Sequence, residues 1–221
     1  MLIATLLILS ATPLERAQAF EAEGNDGKAI SELMHAVAAE PKWALGRVEL
    51  GRLQLKQGNP DAALVHLDIA RTLTPENPRA HYLFALAAED AGRRNEARRS
   101  LEVALSLRDD YDDAQSRLGN LLLIDGEFDR AADLLGRYAA AHPESNGARL
   151  QYAEALERAG RTREAEAQLR ALLDMPQIKT LAGRRLIALL DTQGRTSDAE
   201  KVRHKIDPPK RQLRELKPSR R

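Results

Sequence analysis

Glycine stands at Gly24, Gly58, Gly92, Gly126, Gly160 and Gly194, a spacing of 34 residues kept without insertion or deletion. Alanine keeps the same period at Ala29, Ala63, Ala97, Ala131, Ala165 and Ala199. A fixed period of this length means that one supersecondary unit is repeated, and that each copy buries its apolar face only by stacking on its neighbours. The 221 residues therefore form one continuous array, with no room for a second globular domain.

Units of 34 residues start at Ser10, Ala44, Pro78, Asp112, Asn146 and Thr180. Numbered within a unit, the shared glycine is position 15 and the shared alanine position 20. Apolar residues recur at spacings of three and four in both halves, as in Leu118, Leu121, Leu122 and then Leu134, Leu135, which is a helical period. Each unit reads as a helical hairpin. Glycine at position 15 supplies the left-handed residue that ends a first helix. Asp61, Asn95, Asp129 and Ser197 at position 18 are expected to cap the second helix, and Pro41, Pro75 and Pro143 at position 32 to stop it. Position 8 is small in five of the six units (Ala17, Gly51, Ala85, Gly119, Ala153), opposite leucine at position 24 (Leu33, Leu67, Leu101, Leu135, Leu169).

The 34-residue period with Gly or Ala at 8, Ala at 20 and Pro at 32 resembles the tetratricopeptide repeat family over roughly residues 10 to 213. The resemblance implies an all-α solenoid of about six tandem helix-turn-helix repeats wound as a right-handed superhelix. Position 4, often Trp in that family, departs from its pattern: it is Pro13, Arg47, His81, Gln115, Arg149 and Gly183 here, a departure read as drift. Arg203 at position 24 and Arg16 at position 7 replace large apolar residues in the last and first units, as the wet outer faces of end caps require.

Several classes of chemistry are excluded by what the chain contains. It has no cysteine, which removes disulfides, zinc thiolates and cysteine nucleophiles. The histidines His35, His66, His81, His142 and His204 share no repeat position and have no Glu or His at metal-binding spacing. No metal, cofactor or small-molecule substrate is called for, and no catalytic set is visible. Asp109, Asp110, Asp112 and Asp113 lack the spacing of a calcium loop, and Asp112 reads as a cap of the fourth unit. Arg93, Arg94, Arg98 and Arg99 form a basic cluster that Glu96 and Glu102 can neutralise along the helix. Trp43 is expected to staple the corner between two units.

The ends differ from the body. Residues 1–11, MLIATLLILSA, are apolar but too short to span a membrane. They read equally as the core of an export signal, which would make the protein periplasmic or membrane-associated, or as a packed cap on a cytoplasmic array. With an export signal the chain resembles bacterial envelope assembly factors such as the pilotins, although Thr12 stands where a lipidated cysteine would be needed. Thr12, Pro13 and Glu15 form a capping box with proline at the first helical position, so the solenoid spans 12–207. Residues 201–221 hold nine Lys or Arg against Asp207 and Glu215, a net of +7, which leaves −6 on residues 1–200 of a chain whose total is +1. Residues 208–221 are thus a basic tail.

The function expected from the resemblance is a non-catalytic scaffold that holds a segment of a partner protein, in the assembly of a multiprotein complex, in a groove lined by positions 2, 5, 9, 12 and 13. These positions select Leu45, Val48, Arg52, Leu55, Arg79, Tyr82, Leu86, Glu89, Asn120, Leu123, Leu150, Glu154 and Arg158, with Lys56, Asp90, Asp113, Ser116, Ile124 and Glu157 beside them. The alternative is a binder of nucleic acid or an anionic surface through the tail, which lacks the aromatic residues that stack on bases.

Overall fold

The structure is a computed structural model and describes residues 11–207; the apolar run through Ser10 and the basic tail from Pro208 lie outside the described residues. Among the described residues are twelve α-helices and no strand. In chain order they are α1 (Pro13–Ala22), α2 (Asp26–Ala39), α3 (Ala44–Lys56), α4 (Pro60–Leu73), α5 (Pro78–Asp90), α6 (Arg94–Leu107), α7 (Asp112–Asp125), α8 (Phe128–Ala141), α9 (Asn146–Arg158), α10 (Thr162–Leu172), α11 (Lys179–Thr192) and α12 (Thr196–Ile206). Odd-numbered helices open the 34-residue units and even-numbered helices close them. Helices this short are marginal alone, so packing rather than propensity holds them.

The turn between the two helices of each unit follows the glycine. All six position-15 glycines have positive φ, and Gly92 at 73° shows why: its N–H donates to the Glu89 carbonyl at 2.9 Å, and the Arg93 N–H to the Ala88 carbonyl at 2.7 Å. This closes the last turn of α5 in a way that needs a left-handed residue. Across the hairpin the small residue at position 8 sits on leucine 24. A Cβ on Gly51 would lie 2.4 Å from Leu67 Cγ, and one on Gly119 would lie 2.7 Å from Leu135 Cγ. All six position-20 alanines and all five position-24 leucines are fully buried.

The chain divides into two compact units, with the change between Ala114 and Gln115 inside α7. In the first, Ala17, Ala29, Leu33, Val37, Leu50 and Leu53 form a core flanked by Phe20, Ile30 and Trp43. Trp43 lies flat against the first turn of α3, where a Cβ on Gly46 would collide with its ring at 2.0 Å, so it staples this corner. In the second, Leu169, Leu172, Leu186 and Leu190 centre a core closed by Val202 and Ile206 of the last helix.

Three local readings are corrected. Position 18 is not the cap: the residue before each closing helix is position 16, and Asp61 and Asp129 lie inside the first turn, where a carboxylate favours the helix dipole. Of the position-16 residues, Asn25 accepts a hydrogen bond from the Lys28 N–H at 3.2 Å. Four later units replace a cap with a charged pair between positions 16 and 19: Arg93–Glu96, Glu127–Arg130, Arg161–Glu164 and Arg195–Asp198. Asp112 is likewise the first helical residue of α7 and not its cap.

In two units position 4 is not drift either. The Arg47 Nε donates to the Pro41 carbonyl at 2.8 Å, and His81 Nε2 lies 2.9 Å from the Pro75 carbonyl. Two buried polar side chains thus tie the opening helix of a unit to the position-32 proline before it, a connection that a large apolar residue could not make.

The ends meet expectation where they are described. Thr12 and Glu15 form the complete capping box of α1, and Arg16 pairs with Glu32 and donates to the Ala11 carbonyl. Arg203 pairs with Asp191 at 2.7 Å.

Candidate partner-binding groove

In the first unit the opening helices α1, α3 and α5 lie side by side, and their charged residues close on one another. Arg52 reaches Glu21 at 2.5 Å and Glu49 at 2.8 Å. Arg79 reaches the other oxygen of Glu49 at 2.6 Å, and Lys56 bridges Glu21 at 3.1 Å and Asp26 at 2.9 Å. Three cations therefore meet three carboxylates. The Arg52 hydrogen bonds, with help from Lys56, hold the Glu21 carboxyl down to about 2, so it is charged throughout the physiological range.

The apolar candidates of this unit have different fates. Val48, 1% exposed, belongs to the core and leaves the candidate surface. Leu45 is 47% exposed, and Leu55, Leu86 and Glu89 are half-buried. Tyr82 stacks on Tyr111 with ring centroids 4.8 Å apart, and the Arg108 guanidinium covers the far ring at 3.6 Å. Both tyrosines are half-buried, and burial raises the Tyr111 hydroxyl above its ordinary value.

The second unit is arranged otherwise. Asn120, Leu123 and Ile124 of α7 and Gln151, Glu154 and Arg158 of α9 line an open depression of about 350 Å³. Four of these six are among the residues selected by the repeat register; Ile124 lay beside them, and Gln151 was missed. Gln151 is at position 6, as are Glu49 and Arg185, so the missed signal is a polar residue recurring one place beyond position 5. Ile124 is 61% exposed. Glu154 pairs with Arg185 of α11 at 2.9 Å, which also holds Glu157 at 2.9 Å. The Arg158 guanidinium lies 4.5 Å over the Phe128 ring. Leu150 packs half-buried on the core of this unit.

Among the described residues no group of His, Asp or Glu is placed to hold a metal ion, and no helix is long and apolar enough to cross a membrane.

The family model described as Tetratricopeptide repeat matches residues 54–121 and 122–177, more than half of the chain. The chain belongs to the tetratricopeptide repeat family. No curated protein sequence matches it. Among solved structures it is similar to YrrB, described as a TPR protein with an unusual peptide-binding site, at 19% identity and a TM-score of 0.73, covering 83% of this chain and 98% of that one. It is similar to MamA at 22% identity and a TM-score of 0.67, covering 76% of this chain and 92% of that one. A tetratricopeptide repeat protein from Parabacteroides merdae matches at 19% identity and a TM-score of 0.66, covering 88% of this chain and 77% of that one. At these identities the likeness shows the fold. An all-α tetratricopeptide solenoid is thus what the sequence, the helices and the relatives agree on.

Proposed function

We infer that this tetratricopeptide repeat protein is a non-catalytic scaffold that holds a segment of a partner protein against its opening helices and so brings that partner into a larger assembly. The observation that carries this reading is the second unit's depression, where apolar and polar residues from α7 and α9 converge at positions set by the repeat register. A recess with an apolar floor and a few convergent polar groups is the usual form of a recognition site. The description of YrrB as having a peptide-binding site supports the same reading.

The test is capture of partners from the native cell, followed by calorimetry of the purified pair. A Tyr82→Ala, Leu86→Ala double change and, separately, Leu123→Ala with Ile124→Ala should each weaken binding by more than ~1 kcal/mol while far-ultraviolet circular dichroism stays unchanged. Full affinity in both folded variants would move the binding surface off the opening helices.

A further inference from the structure

The grooves of the two units are chemically unequal, and the difference indicates what is bound. In the first unit the groove cations are already engaged: Arg52, Lys56 and Arg79 are spent on Glu21, Asp26 and Glu49. A ligand charge there would have to break pairs that the protein has already formed. In the second unit three polar groups of the recess, Arg158, Asn120 and Gln151, are available. Glu154 is held by Arg185, while Arg158, four residues on and within reach of that carboxylate, instead lies over Phe128. Arg158 has no carboxylate partner among the described residues. Asn120 and Gln151 line the same recess with side-chain amides that have no hydrogen-bond partner among the described residues.

Resting on the scaffold reading, we propose that the α7–α9 depression binds an extended peptide segment in which an aliphatic or aromatic residue stands beside an acidic one. The three parts of the recess divide the work. A side-chain amide both donates and accepts, so Asn120 and Gln151 can satisfy the N–H and C=O of one peptide unit of an extended chain. Leu123 and the exposed Ile124 form the floor on which the apolar side chain sits. Arg158 presents the planar donor fork that suits a carboxylate, and its stacking on Phe128 limits the conformations it must give up on binding. A basic segment is disfavoured because it would place like charge on Arg158 while the Glu154 carboxylate is already held.

Random heptapeptides displayed on phage and selected on the immobilised full-length chain test this. Enriched peptides should carry Leu, Ile or Phe within two positions of Asp or Glu. In fluorescence anisotropy a labelled enriched peptide should lose about tenfold in affinity with Arg158→Glu, and a comparable amount with Asn120→Ala, Gln151→Ala. Selection on the Arg158→Glu chain should favour Lys or Arg at the acidic position. No enrichment, enrichment of basic peptides, or acidic enrichment that persists with Arg158→Glu and so belongs to the basic tail would each overturn the proposal. If binding is lost with Tyr82→Ala, Leu86→Ala but not with the α7–α9 changes, this inference fails while the scaffold reading stands. If none of these variants matters, both fail.

Discussion

A Cβ placed on Gly92 would meet nothing within 4 Å, yet φ there is 73°. Gly92→Val should therefore cost about 1–2 kcal/mol through backbone strain alone. Thermal unfolding that matches the parent would remove the left-handed turn from the account. A second residue-scale effect concerns His66, half-buried beside Arg47, whose guanidinium lies 3.3 Å from its Nδ1. Burial first, and the Arg47 charge second, push its pKa below the usual histidine value of 6.5. The unfolded chain then binds the proton more readily than the folded one. The stability this residue contributes is present above pH 6.5 and is lost as pH falls through the lower folded value. His66→Gln should flatten the melting temperature in that window. Glu21 acts further down: its contribution is complete above 4.5 and disappears toward about 2, so Glu21→Gln should blunt acid unfolding there. A melting curve with the same pH dependence in either variant would contradict the corresponding assignment.

At the scale of the helix, core and surface contributions separate cleanly. Leu169 of α10 is fully buried, and Leu169→Ala should cost about 2–5 kcal/mol. Arg161, at the entry to the same helix, reaches Glu164 and Asp133 at 2.8 Å on an open surface, so Arg161→Ala should cost less than about 1 kcal/mol. Denaturant titration measures both, and an arginine effect as large as the leucine one would mean that the entry pairs hold the helix. The helices themselves were legible because glycine 15, alanine 20 and leucine 24 each have one physical job. The caps were misread because Asp at position 18 has the chemistry of a cap. In the structure that chemistry serves the first turn, and the register of the cap depends on how far the glycine turn extends. Position 4 was misread at Arg47 and His81 because a polar residue in an apolar slot looks like loss. Its bond to a proline carbonyl of the previous unit connects residues that sequence spacing alone does not pair. Val48 failed as a groove residue for a related reason: the register sets a direction on the helix and not how far a neighbour covers it.

For the whole molecule, charge separates two modes of binding. Residues 210–221 carry six Lys or Arg against Glu215, so removing them takes the net charge from +1 to −4. The shortened chain should keep its partner at moderate salt and lose only salt-sensitive attraction to anionic surfaces. Loss of all binding at both low and high salt would transfer the main function to the tail. The central claim, that the opening helices receive the partner, is tested most directly by hydrogen–deuterium exchange of the full chain alone and saturated with its captured partner. The account predicts new protection concentrated in α5, α7 and α9, strongest around Asn120–Ile124 and Gln151–Arg158, with α4, α6 and α8 unchanged. Protection confined to those closing helices, with α5, α7 and α9 exchanging as in the free chain, would contradict it.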